Sequence, residues 1–207
     1  MMCGCSGSGQ GDGTRKEPAM TKCGCDGARN KDTPQGPCCA AESTVVGPGH
    51  GLKRRTLEVE FLYLDLNTCD RCKGADEMLE EALEEARKIL GPTGVDVTLK
   101  KIHVRTEAQA LRVGLVSSPT VRVMGRDAAI DVKESPCAGC SDLSATETTC
   151  RVWTWRGKEY SVPPKAMILD AILREAYLHP AGEAKPVPPL TELPENMKRF
   201  FKGIRKD

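Results

Sequence analysis

Two thiols at a change of periodicity constrain this chain more than any other feature. Leu57-Glu58-Val59-Glu60-Phe61-Leu62-Tyr63-Leu64 starts as an alternation and becomes a continuous apolar run reaching Leu66, as a buried central strand would. Met78, Leu79, Ala82, Leu83, Ala86, Ile89 and Leu90 then recur at three- and four-residue spacing, one face of a helix that starts near Lys73 and ends near Gly91-Pro92. Cys69-Asp70-Arg71-Cys72 lies at the junction. A one-turn spacing brings two sulfurs within bonding reach, and the free N–H groups of a helix start favour the thiolate. A thiolate is the species that attacks a disulfide or holds a soft metal.

The pattern continues as β-α-β. Val95, Val97 and Leu99 alternate and lead to Ile102 and Val104, a second strand that a right-handed crossover makes parallel to the first. Glu107 to Val113 predicts a short helix closed by Gly114. Thr120-Val121-Arg122-Val123-Met124 predicts a strand entered directly from Pro119, a position a sheet allows to proline. Val152 to Trp155 and Tyr160 to Val162 predict a further pair, turning at Arg156-Gly157-Lys158. A last core helix opens at Pro163-Pro164, with Met167, Ile168, Ala171, Ile172 and Ala176 on its apolar face. The expected class is α/β: a mixed sheet flanked by helices over residues 56–180, with an irregular insertion from about 126 to 150. Residues 181–207 read as a proline-rich connector and a basic amphipathic tail, whose Met197, Phe200, Phe201 and Ile204 share one helical face and cap the core or meet a partner.

Residues 1–55 are different. They hold eleven of the 20 glycines and six of the eleven cysteines, with no periodic apolar pattern. Such a segment buries too little surface to offset chain entropy and is expected to be a flexible, disordered tail. The net charge of +1 and an aromatic content of 4% argue against a nucleic-acid surface. Apolar runs fall short of a transmembrane segment, and Met1-Met2-Cys3-Gly4-Cys5 does not begin a secretory leader, so the expected location is cytoplasmic. In a reducing compartment, eleven cysteines point to redox or metal chemistry rather than a static disulfide framework.

CxxC after the first strand and Ser118-Pro119-Thr120 before the third, in the order β-α-β-α-β-β-α, together resemble the thioredoxin superfamily over residues 56–178. The stretch from Leu62 to Lys73 and the later Cys137-Ala138-Gly139-Cys140 are most similar to an uncharacterised thioredoxin-like family of archaea and bacteria. The resemblance implies a cis peptide before Pro119, packed against the CxxC, where it blocks metal capture and leaves a backbone edge at Ser118 for substrate. It implies a thiol–disulfide oxidoreductase whose redox core needs no cofactor, acting on a disulfide-bearing protein or small thiol and restored by a reductase. The chain departs from ordinary thioredoxins in its Cys-Asp-Arg-Cys sequence, its insertion and its cysteine-rich tail.

On this reading Cys69 is the nucleophile and Cys72 resolves the mixed disulfide. The alternative is half of a zinc site or two buried thiols. Asp65 either relays protons to Cys72 or serves the turn, and Thr68 is expected to cap the helix. Cys137, Cys140 and Cys150 form a second constellation with no evident helix start. They make a second redox pair, a structural disulfide, or three ligands of a zinc or iron–sulfur site whose fourth ligand comes from elsewhere. Cys3, Cys5, Cys23, Cys25, Cys38 and Cys39 lack zinc-knuckle spacing. On glycine-rich backbone they suit a soft ion such as Hg(II), Cu(I) or As(III), or serve as mobile redox thiols. His50, His103 and His179 show no ligand spacing. Two functions therefore stand: a CxxC oxidoreductase, and a soft-metal or metalloid carrier.

Overall fold

Strand β1 (Arg55–Tyr63) is the axis of the molecule because both of its faces are covered. Leu57, Val59 and Phe61 point into one core, and Leu62, just beyond them, points into another with Leu64. A strand buried on both sides needs apolar residues at consecutive positions, which explains the loss of alternation near Phe61. A computed structural model describes residues 54–179 and 184–204, all within the unit Pro48–Asp207. The glycine- and cysteine-rich tail, with its six cysteines, lies outside the described residues.

Helix α1 (Asp70–Leu90) buries Ala75, Leu79, Ala82, Leu83, Ala86 and Leu90; of the stripe read from the sequence, Met78 is only partly buried and Ile89 is exposed. After a 3-10 turn at Gly91–Thr93, β2 (Val95–His103) pairs parallel with β1, Val59 opposite Leu99. Helix α2 (Glu107–Val113) starts at Thr106, whose hydroxyl accepts from the Gln109 N–H at 3.2 Å, and ends at Gly114 with φ of 65°. Strand β3 (Thr120–Val123) returns antiparallel to β1 with Phe61 opposite Val121. A tight turn at Met124 and Gly125, both at positive φ, leads into β4 (Arg126–Asp127). The sheet order is β2-β1-β3-β4. It is a mixed sheet flanked by helices, compatible with a thioredoxin-like fold.

The fourth core strand is not where the sequence placed it. Two residues, Arg126 and Asp127, fill that role, too short to leave a periodic signal. Strands β5 (Lys133–Pro136), β6 (Thr149–Trp155) and β7 (Lys158–Tyr160) instead form a second antiparallel sheet, β5-β6-β7. Helix α3 (Ala138–Ser144) lies between β5 and β6, so the insertion is structured rather than irregular. Helix α4 (Lys165–Leu178) begins after Pro164, which is its cap rather than its first residue. Its buried Met167, Ile168, Ala171, Ile172 and Ala176 close the first core against α1.

Helix α5 (Glu195–Ile204) packs on α3 and buries Met197, Phe200 and Phe201 in the second core, while Ile204 stays partly exposed. The approach is close: a Cβ on Gly203 would overlap the Ser144 carbonyl oxygen. An alanine at 203 gains up to about 1 kcal/mol of helix propensity. Gly203→Ala is nevertheless expected to lower stability by about 1–2 kcal/mol, since the obstacle is backbone and the helix itself must shift. The midpoint of urea unfolding measures it; an unchanged or raised midpoint would show that α5 does not seat against α3. No described helix is long and apolar enough to cross a membrane.

Candidate thiolate centre

The second core is where the sulfur gathers. Cys69 caps α1 in an extended conformation (φ −86°, ψ 105°), and its carbonyl accepts the first helical bond from the Lys73 N–H at 3.0 Å. Thr68 is therefore not the cap. The turn before the helix is organised by Asp65, whose Oδ1 accepts from the N–H groups of Asn67 at 3.0 Å, Thr68, and Cys69 at 3.3 Å. Of the two roles open to Asp65, these bonds favour the turn.

Cys137 stands in the same position on α3: extended backbone, with its carbonyl accepting from the Ser141 N–H at 3.0 Å. The β5–β6 hairpin fixes both ends of this segment, since the Cys137 N–H donates to the Thr148 carbonyl at 3.0 Å and Cys150 pairs with Ser135. The Cys137–Cys140 motif thus does have a helix start, contrary to the sequence reading. Its signal was masked because Ala138-Gly139-Cys140-Ser141 carries no apolar stripe.

Folding brings the two constellations together. The sulfurs of Cys69, Cys137, Cys140 and Cys150 all lie within 4.8 Å of one another. Cys69 Sγ is 3.8 Å from Cys137 Sγ, and Cys140 Sγ is 3.1 Å from Cys150 Sγ. Cys69, Cys140 and Cys150 have no exposed surface, and Cys137 keeps 6%. Cys72 is also fully buried but stands outside the group of four, its sulfur 3.6 Å from the Ser118 hydroxyl. The fourth partner for Cys137, Cys140 and Cys150 is therefore Cys69, a residue the sequence had already paired with Cys72.

Two local features allow this approach. Gly139 faces the backbone before α1: a Cβ there would sit 2.5 Å from the Thr68 carbonyl oxygen and 3.1 Å from the Cys69 Cα. Arg71, inside the CxxC, latches the insertion to α1. Its Nη1 donates to the carbonyls of Ser135 at 3.3 Å and Cys150 at 3.1 Å, and its Nη2 to the Ser135 hydroxyl and the Pro136 carbonyl, both at 2.8 Å. Gly139→Ala is expected to push α3 away and widen the sulfur group, weakening any ion held there by about 10–100-fold with the fold retained. Competition against a chelator reads this, and undiminished affinity would show that the close approach is not needed.

The thiols polarise one another. Cys69 is held well below the ordinary thiol range, chiefly by a hydrogen bond from Cys137, with Cys140, Cys150 and Cys72 adding to it. Cys137 is lowered to about 7, first by Cys140 and then by Cys150. The donors shift upward: Cys72 through its bond to Cys69 and its burial, Cys140 and Cys150 chiefly through Cys137. The site is thus a compact group in which thiolate character concentrates on Cys69, with Cys137 as its chief hydrogen-bond donor and the next thiol to ionise.

The peptide before Pro119 is cis, as the resemblance implied. The edge expected to be free for substrate at Ser118 is partly occupied: its carbonyl accepts from the Arg151 N–H of β6 at 2.9 Å, and its hydroxyl accepts from the Leu64 N–H at 3.2 Å.

Fold and site together define an α/β protein with a buried four-cysteine centre between its main sheet and an inserted hairpin. The chain belongs to a family described as a domain of unknown function (DUF2703), whose profile matches residues 57–172. That span includes all five described cysteines as well as Ser118 and Pro119. No curated protein and no solved structure matches the chain.

Proposed function

We propose that the chain binds a single thiophilic ion, Zn(II) or a softer congener such as Hg(II) or Cu(I), on Cys69, Cys137, Cys140 and Cys150. The observation that carries this reading is the mutual 4.8 Å limit on four buried sulfurs. Tetrahedral coordination with Zn–S of about 2.3 Å places ligand sulfurs about 3.8 Å apart. The Cys69–Cys137 separation equals that edge, and the Cys140–Cys150 pair has only to open by several tenths of an ångström. An iron–sulfur cluster places bridging sulfides and several irons between its cysteines and needs a wider ring. Four protein ligands without an open position make a closed site, the form associated with holding an ion rather than activating water. Thiolate softness selects the ion class. Binding displaces the protons on Cys140 and Cys150, so loading releases protons.

Cobalt(II) is a direct probe, because tetrahedral thiolate coordination gives it intense charge-transfer and ligand-field absorption. The full chain should develop these bands under anaerobic titration, and each of Cys69→Ser, Cys137→Ser, Cys140→Ser and Cys150→Ser should diminish them. Bands unchanged by Cys137→Ser and Cys150→Ser would remove this reading.

A second reading is thiol–disulfide exchange at Cys69 and Cys72, with Cys137 and Cys140 as a relay and a reductase as electron donor. The lowered Cys69 at the start of α1, with Cys72 against Ser118 before the cis Pro119, favours it. Burial of Cys69 and occupation of the Ser118 carbonyl by β6 favour a small disulfide over a protein as its substrate. Reduction of a small disulfide by wild type but not by Cys69→Ser would support this reading; equal rates would end it.

A further inference from the structure

Cys72 has no place in the four-sulfur group, yet it is a fully buried thiol one helical turn from the one ligand that α1 supplies. The other three ligands all come from the inserted segment. Cys137 is the member of the four that retains any exposed surface, and its sulfur faces Cys69. Cys69 therefore neighbours both the least enclosed of the four sulfurs, that of Cys137, and the sulfur of Cys72.

We propose that Cys72 is the terminal acceptor of an oxidation that enters at Cys137 and withdraws Cys69 from the ion, making ion retention depend on the thiol–disulfide state of the surroundings. The inference rests on the ion-binding reading above. The oxidant is a low-molecular-weight disulfide, RSSR. The Cys137 thiolate attacks it, forming Cys137–S–SR and releasing RS⁻. The Cys69 thiolate, 3.8 Å away, attacks the Cys137 sulfur and expels the second RS⁻. Cys72 gives its proton to one released RS⁻ and attacks the Cys69 sulfur, returning Cys137 as a thiolate. In sum, RSSR takes up two electrons and leaves as RSH and RS⁻. The Cys69 thiolate and the Cys72 thiol become one disulfide, with charge conserved. Each step is a thiolate displacement on a disulfide sulfur, and order follows access and proximity. Cys69 is then lost as a ligand, while Cys137, Cys140 and Cys150 remain reduced on a three-thiolate site.

The test uses the full chain loaded with zinc and exposed to oxidised glutathione, with zinc release followed by a chromophoric chelator. Disulfides are mapped by mass spectrometry after alkylation. Wild type should release the ion bound at this centre and show a Cys69–Cys72 bond, with Cys137 open to alkylation. Cys72→Ser should bind zinc as wild type does, then stop at a Cys69–Cys137 bond. Cys137→Ser, compared without metal, should form the Cys69–Cys72 bond about tenfold more slowly or less readily still. Wild type in which Cys72 stays reduced, whichever other cysteines have paired, overturns the proposal. Failure of the ion-binding reading is distinct: wild type would load no more zinc than Cys69→Ser, while the disulfide map could still be read.

Discussion

Cys69→Ser is expected to weaken zinc binding at this centre more than 100-fold, while Cys72→Ser, three residues along the same helix, leaves it within about threefold. The contrast follows from where the sulfurs point, because both residues belong to one motif and both are fully buried. Cys69 reaches Cys137 at 3.8 Å and closes the ring of four, whereas Cys72 turns toward the Ser118 hydroxyl at 3.6 Å. Loss even of an outer partner that merely orients a ligand commonly costs about 10–100-fold in metal affinity, so loss of a ligand exceeds that range. A serine at 69 keeps the extended cap of α1, so the fold is expected to persist and circular dichroism should be unchanged. Chelator competition on the two variants decides. Equal losses would mean that the motif acts as the pair its sequence suggests, and retention by Cys69→Ser would empty the four-cysteine assignment.

The second large effect lies behind the centre. Arg151 follows Cys150 on β6 and is fully buried, stacked 5.0 Å over the Trp153 ring. Its guanidinium forks onto Asp127 of β4, at 2.8 Å to Oδ1 and 2.7 Å to Oδ2, joining the second sheet to the first. Asp127→Ala leaves a cation buried without its carboxylate, an error that commonly costs about 3–5 kcal/mol. The Asp127 side chain is 31% exposed, so water can reach part of the site and the lower end of that range, about 3 kcal/mol, is expected. Replacing both partners, Asp127→Leu with Arg151→Met, should recover most of the loss, since removing both charges also removes the desolvation they impose. Urea unfolding of Asp127→Leu, Arg151→Met and the double variant measures the cycle, with Asp127→Ala as the reference for the unpaired cation. A double variant as unstable as Asp127→Ala would show that the pair does more than neutralise itself.

What the sequence made legible follows the length and burial of its elements. β1, α1, β2, α2, β3 and α4 each run long enough, or end sharply enough, to repeat an apolar period or show a stop signal. β4 has two residues, and β5 is mostly exposed, so neither offers a pattern to read. β6 was found as a strand but assigned to the main sheet, because periodicity reports that a strand is half-buried and says nothing about its neighbours. The site was legible as chemistry and not as geometry. Cys69 and Cys137 are 68 positions apart and meet because β6 lies along Ser118 and Gly139 has no side chain to hold α3 off Thr68. A motif pairs cysteines by closeness in sequence, whereas the fold pairs them by closeness in space.

The same geometry shows why redox chemistry and ion binding would draw on the same sulfur. A thiolate held low enough to attack a disulfide is also a thiolate ready to hold a soft ion. The neighbouring thiols and the start of α1 favour that anion in either role. The inserted hairpin changes the outcome: it covers Cys69, occupies the carbonyl beside Pro119, and supplies three more sulfurs.

X-ray absorption at the zinc edge, paired with elemental analysis of anaerobically loaded full-length wild type and Cys69→Ser, tests the four-cysteine centre most directly. The expected result is that wild type holds one ion more than the variant, and that this ion carries four sulfur neighbours at about 2.3 Å. Equal ion content in the two proteins, or a difference shell containing nitrogen or oxygen ligands, would contradict it.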